Sequence, residues 1–172
     1  MRKPTARART VPVVGVALGA CAGQGAIKVL SSHFSVMVRD QAQVMAAGPH
    51  VVRQAHGTEV SKNDLGGHEV HRRSALVHNE AADERDALAQ VQRFLSYLPR
   101  SVHDLAPVVR CGDDPARADD WLKDAIPHDR RKLYDPRRIL AAVFDRDSLF
   151  EIGRWQGGSV LTLFGRLDGV PV

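Results

Sequence analysis

The sequence is short of cysteine, aromatic residues and long apolar runs, and each shortage narrows what the chain can be. Cys21 and Cys111 are the only cysteines in 172 residues. A pair so far apart forms neither a disulfide framework nor a zinc-ligand pattern, and a reducing, cytoplasmic compartment is expected. Aromatics make up 5% of the chain, too few for the stacking platforms that hold single-stranded nucleic acid. The apolar stretch Val11–Ala22 falls well short of the roughly 20 residues that cross a bilayer. Its basic approach and alanine-rich end imitate a secretory leader. Pro12 opens it, however, Gly15 and Gly19 interrupt it, and Val11, Val13, Val14 and Val16 favour a buried strand. Neither a nucleic-acid partner nor a membrane is expected.

Charge is unevenly placed. The formal net charge is +4, from 24 basic and 20 acidic side chains. Arg2, Lys3, Arg7 and Arg9 lie in the first ten residues, which hold no acid, so the body of the chain is neutral. Residues 1–10 read as a basic, frayed tail.

The order of elements is that of an α/β protein. Val11–Leu18 reads as a strand buried on both faces, followed by a glycine loop and a short helix over Gly25–Ser32. His33–Val38 alternates and reads as the next strand, and Gln43–Ala46 is a further short apolar piece. Gly48-Pro49 marks a turn before a helical Val51–Ala55. Ser61 and Asp64 have capping-box spacing, and Gly66-Gly67 ends that turn. Ala75–Val77 reads as a short buried strand. Asp83–Leu98 is the clearest helix, with Leu88, Val91, Leu95 and Leu98 as its apolar stripe. Pro99 stops it. Residues 99–135 are proline-broken and charged, as in a surface-wrapped linker. Asp135-Pro136 is a helix start, with Ile139, Leu140 and Val143 on the apolar face. Phe150–Ile152 and Val160–Phe164 read as strands, and another begins at Leu167. A chain ending as a strand begins reads as truncated.

The stretch Leu18–Ala26, LGACAGQGA, is the main chemical candidate. It lacks the phosphate-loop pattern Gly-x-x-x-x-Gly-Lys-Ser/Thr, and Gly19-x-x-x-Gly23-x-Gly25 is not the dinucleotide pattern Gly-x-Gly-x-x-Gly. Cys21 has no base partner assignable from sequence, so a small buried thiol is the commoner outcome. The remaining reading is a set of bare backbone N–H groups at a helix start, open to a carbonyl oxygen because the side chains are small. A tight helix–strand crossing selects small residues too. His68, His71 and His78 offer a rival zinc site, with His68-x-x-His71 on one helical face, but structural histidines are the commoner outcome and no metal is expected. Asp113-Asp114 and Asp119-Asp120 read as solvated loop acids.

Four segments in one order resemble the carboxyltransferase subunit of biotin-dependent acyl-CoA carboxylases, the propionyl-CoA and methylcrotonyl-CoA type. VPVVGVALGACAGQGA resembles its strand and GxCAGG loop. AAGPHVVRQAHGTEVSKNDLGGHEVH, HNEAADERDALAQVQRFLSYLP and the segment from Ile126 to Val172 resemble later pieces. The resemblance implies a crotonase-like (ClpP/crotonase) α/β fold of repeated ββα units, present in part. It implies that residues 11–99 end an acyl-CoA-binding half, and that residues 100–172 hold a linker and the opening of a second, carboxybiotin-binding half. Carboxyl would pass from carboxybiotin to the α-carbon of an acyl-CoA, in fatty acid or branched-chain amino acid metabolism. The implied partners are a biotin carboxylase and biotin carrier subunit and further copies of the chain. By resemblance, the Gly23 and Gln24 amides hold the thioester oxygen. Ala22, Gly25 and Ala26 continue the acyl-CoA wall, and Gly48, Gly66 and Gly67 match nearby glycines. Gln24 departs from the family's glycine. A catalytically incomplete relative that only binds acyl-CoA or assembles is the alternative.

Overall fold

The computed structural model describes residues 9–114 and 116–172. All but the last two residues of the basic tail therefore lie outside the described residues. The valine run forms β1 (Val14–Ala17). Strand β2 (Ala20–Ala22) follows at once and leads through Gly23 into α1 (Gln24–Leu30). Next come β3 (Phe34–Val38), β4 (Gln43–Met45), α2 (Pro49–His56), α3 (Lys62–Gly66) and α4 (His68–Ser74). Strand β5 (Asn79–Ala81) and α5 (Glu84–Ser96) complete the first part.

Two parallel sheets organise these elements. The larger has the order β1-β3-β5, with Val14 opposite Phe34 and Val36 opposite Asn79. The smaller pairs β2 with β4, Cys21 opposite Val44. Half of the expected glycine loop is thus a strand: its small residues let β2 lie beside β4. Every residue of β3 is buried, so the alternation read there is not a solvent face. Ser35 can be buried in that strand because His78 satisfies it. The Ser35 amide donates to His78 Nδ1 at 3.0 Å, and the His78 amide donates to Ser35 Oγ at 3.1 Å. Helix α1 crosses β1 closely, since a methyl group on Gly15 would lie 2.7 Å from Val29 Cα.

The strand expected at Ala75–Val77 forms four residues later, at Asn79–Ala81. Ala75 is the left-handed cap that ends α4, and a residue held there cannot extend a ladder. The apolar stripe of α5 is also turned. Ala87 and Phe94 are buried, while Leu88 and Leu95 are exposed. Both stripes share Val91 and Leu98 at helical spacing. Packing decides between them, because Phe94 stacks on Phe34 with ring centroids 4.7 Å apart.

Beyond Pro99 the chain runs irregularly, with a 3-10 turn at Asp120–Asp124, to α6 (Pro136–Val143). Asp135 caps α6 by accepting from the Arg137 amide at 2.9 Å. Strands β6 (Phe150–Ile152) and β7 (Thr162–Phe164) pair antiparallel. The expected last strand is instead a tight hairpin, β8 (Arg166–Leu167) and β9 (Val170–Pro171). Asp168 and Gly169 both have positive φ, the requirement of a two-residue type I′ hairpin turn, and Asp-Gly is one of its preferred sequences. One apolar cluster runs across Pro99: Phe150 meets Phe34 edge-on at 5.5 Å, and Phe164 meets Phe94 at 5.8 Å. The few aromatics are concentrated there.

Phe94→Ala is expected to cost about 3–5 kcal/mol, as for a truncated core aromatic. Leu88→Ala should stay within about 0.5 kcal/mol, as at an open surface. Urea unfolding of the two variants measures both; the reverse order would mean that the helix packs on its leucine stripe.

Candidate functional site

The carboxyl ends of β2 and β4 each feed a helix, the arrangement at which parallel sheets bind ligands. Helix α1 follows β2 through Gly23, and α2 follows β4 through residues 46–48. Both helices have a glycine N-cap with no side-chain cap bond and no acid in the first turn. The starts of α3, α4 and α5 all carry an acid. The first amides of a helix have no intrahelical acceptor and carry partial positive charge, so α1 presents an uncapped donor end; α2 begins with Pro49, which has no N–H, and its Val51 and Val52 amides donate to the Gly48 carbonyl.

The expectation that Gly23 and Gln24 share an oxygen needs correction at Gly23. Its amide donates to the Met45 carbonyl at 3.2 Å and the Ala46 carbonyl at 3.1 Å, while its own carbonyl accepts from the Ile27 amide at 3.1 Å. Gly23 therefore shapes the turn and has no free donor. Its φ of 58° and ψ of −123° suit only glycine. Space is not the reason, because a methyl group there would meet nothing closer than Ala46 O at 3.9 Å. The first helical bond runs from Ile27 to Gly23, which leaves the amides of Gln24, Gly25 and Ala26 without an acceptor among the described residues. Ala22 and Gln24 are exposed, Gly25 is half-buried and Ala26 buried.

The other candidates fall into place around this turn. A methyl group on Gly25 would lie 3.1 Å from Cys21 Sγ, so the half-buried thiol packs beneath the helix start. No histidine is bonded to it among the described residues. Gly48 caps α2 and faces open space. Gly66 is buried, and a methyl group there would overlap the Val44 carbonyl. Gly67 ends α3 and begins α4, and a methyl group there would lie 2.8 Å from Asn63 O. Gly66 and Gly67 act through backbone shape.

A cleft of about 390 Å³ opens at the start of α2, lined by Pro49, His50, Arg53, Glu59 and Ser61 among others. Sequence reasoning passed over His50 and Arg53, although Gly48-Pro49 is the signature of a helix start. The capping box at its rim forms as expected: Ser61 Oγ accepts from the Asp64 amide at 3.1 Å. The Ser61 hydroxyl and amide hold the Asp64 carboxyl below its ordinary value.

The three histidines do not form a metal site. His68 lies 3.5 Å from an Asp40 oxygen and 3.2 Å from Glu69. His71 Nε2 meets the Val44 carbonyl at 2.8 Å, and His78 is engaged by Ser35. No group of three metal-binding side chains occurs among the described residues. No helix among them is long and apolar enough to cross a membrane.

Residues 2–172 match the carboxyl transferase domain. The chain belongs to that family. It is 33% identical over 163 residues to the methylmalonyl-CoA decarboxylase subunit alpha of Veillonella parvula, covering 94% of this chain and 32% of that one. It is 34% identical over 172 residues to the propionyl-CoA carboxylase carboxyltransferase subunit of Haloferax mediterranei, covering 99% and 33%. In structure it is similar to the transcarboxylase 12S hexamer crystallised with hydrolysed methylmalonyl-coenzyme A. The TM-score is 0.87 at 29% identity, over 95% of this chain and 32% of that one. The fold is accordingly the crotonase-like carboxyltransferase fold. The chain spans about a third of the length of these relatives.

Two outcomes are expected for this carboxyl transferase domain. Gly23→Ala should cost about 1–3 kcal/mol from backbone strain alone, read by urea unfolding. The second concerns pH. Burial holds the His78 imidazole below its ordinary value of 6.5. The unfolded chain then binds the proton first, so the stability due to His78 is complete above 6.5 and declines as pH falls from 6.5 through the folded value. His78→Asn keeps an acceptor for the Ser35 amide and removes the titration. Its unfolding free energy should fall less steeply than that of the wild type between pH 7 and 5; equal slopes would rule out His78 as a source.

Proposed function

We propose that this chain supplies the acyl-CoA-binding part of a carboxyltransferase that moves carboxyl from carboxybiotin to the α-carbon of an acyl-CoA. The observation that carries the reading is the bare start of α1, where the Gln24, Gly25 and Ala26 amides have no acceptor among the described residues. Carboxylation at an α-carbon passes through an enolate, and the thioester oxygen gains charge on the way. Pre-aimed amides stabilise that charge, with about 3–4 kcal/mol attributable to one good donor. The dipole of α1 adds to them. Exposed Ala22 and half-buried Gly25 leave room for the thioester to approach. Gln24, where the family has glycine, keeps its amide and adds a side chain at the rim.

Carboxybiotin, brought by a carrier and biotin carboxylase subunit, supplies the carboxyl group and the base. Residues 11–99 are read as the end of the acyl-CoA half and 100–172 as the linker and opening of the second half. Further copies of the chain are the expected partners, as the transcarboxylase relative is a hexamer.

The test uses Gln24→Pro. Proline is tolerated at the first helical position but has no N–H, so the change deletes one donor and spares the helix. Gly23 sits at the mirror image of an extended conformation, which glycine adopts before proline without strain. With propionyl-CoA added, the wild-type Gln24–Ala26 amide resonances should shift more than with free CoA. Where carboxyl transfer is measurable with carrier and carboxylase present, Gln24→Pro should lower it roughly 100-fold, and Gln24→Ala should stay close to wild type. Amide shifts without transfer would favour the incomplete, binding-only relative. Equal shifts with propionyl-CoA and free CoA would defeat the reading.

A further inference from the structure

We infer that His71 is a positioning residue, which holds the amide turn at Gly23 from behind through the Val44 carbonyl. The inference deepens the reading of the α1 start as an acyl-CoA oxyanion site and rests on it for function, though not for structure.

His71 is 5% exposed, one of few buried polar residues among those described. Its two ring nitrogens are treated very differently. Nε2 is 2.8 Å from the Val44 carbonyl. A carbonyl only accepts, so Nε2 carries the proton and donates. In the neutral ring Nδ1 is then an acceptor. It is buried, with no hydrogen-bond partner among the described residues. An unmet buried acceptor is a cost that a phenylalanine or leucine in the same space would not carry. The bond to Val44 is what the imidazole contributes in return.

Val44 is a critical point on β4. It pairs with Cys21 of β2, and the next two carbonyls, of Met45 and Ala46, receive the Gly23 amide. The path is therefore α4, His71, β4, Gly23 and then the first amides of α1. Gly66 makes the path possible, because any side chain there would overlap the same Val44 carbonyl. The glycine brings α3 onto β4, and four residues beyond Gly67 the histidine of α4 reaches the carbonyl. The α2 and α3 helices carry no comparable bond to β4 among the described residues; Asn63 reaches only the Gln43 side chain, at 2.9 Å. The His71 bond is thus the polar tie between the helices and the β4 backbone beside the turn.

His71→Phe, His71→Gln and Gly66→Ala in the full 172-residue chain test this. Phenylalanine fills the space and cannot donate. Glutamine places an N–H where Nε2 stood. Alanine at 66 strikes the Val44 carbonyl from the other side. Amide hydrogen exchange read by NMR should show Gly23 at least about fivefold faster in His71→Phe, with Val36 in the central strand unchanged. His71→Gln should return Gly23 to near the wild-type rate, and Gly66→Ala should loosen Gly23 as His71→Phe does. Unchanged Gly23 exchange in His71→Phe, equal acceleration at Val36, or no recovery with glutamine would overturn the inference. If His71→Phe does not fold, wild-type exchange in His71→Gln with fast Gly23 exchange in Gly66→Ala sustains it, and the opposite pair overturns it. Propionyl-CoA binding is measured on the same samples. Loss of the Gly23 effect with binding intact in the wild type defeats this inference alone. A clear Gly23 effect in a wild type that binds no acyl-CoA defeats the function alone.

Discussion

The bond from the Gly23 amide to the Met45 and Ala46 carbonyls fixes where α1 begins. Without it the strand β2 and the helix would be free to swing apart, and the amides of Gln24, Gly25 and Ala26 would have no set direction. Glycine is needed there for its backbone angles, not for space. Small residues matter for contact elsewhere: Gly15 lets α1 lie on β1, and Gly66 lets α3 lie on β4. The exposed donor end is thus held between two close crossings. Its openness is a product of tight packing behind it.

The same economy holds in the core. Four of the five phenylalanines form one cluster with Tyr97, and it joins residues before and after Pro99. Polar groups bind the same junction. The Asn79 side chain donates to Glu151 O at 3.1 Å and accepts from the Gly153 amide at 2.9 Å, as a peptide group would in a ladder. The buried Arg166 guanidinium donates to the carbonyls of Pro107, Gly169 and Ser96 and lies 5.0 Å from the centre of the Tyr97 ring. Three carbonyls receive its N–H groups, and no carboxylate pairs with it among the described residues, so the charge ties the irregular segment, the hairpin and the end of α5 together. The Tyr97 hydroxyl donates to the Ser148 carbonyl beside them.

The histidines show how one residue type serves several ends. Their spacing suited a zinc site, yet three different neighbours engage them. His68 meets acids at the surface, His71 the Val44 carbonyl, and His78 the buried Ser35. Glu80 lies among them, held by Arg72 at 2.9 Å. A guanidinium beside the imidazoles opposes a metal cation, and sequence spacing gives no hint of it.

Much was legible along the chain because it depends on neighbours in sequence. The valine run, the Asp83 and Asp135 caps, the Ser61–Asp64 box and the stop at Pro99 are local effects of backbone and side chain. Four segments in one order were enough to place the family. The tertiary structure decided what depends on distant partners. It turned the α5 stripe from Leu88 to Ala87 and Phe94 because Phe34 lay opposite. It drew half of the glycine loop into a strand because β4 lay beside it. Above all it engaged the Gly23 amide while leaving the Gln24 amide without an acceptor among the described residues. Along the chain the two amides are neighbours; only the carbonyls of Met45 and Ala46, distant in sequence, distinguish them.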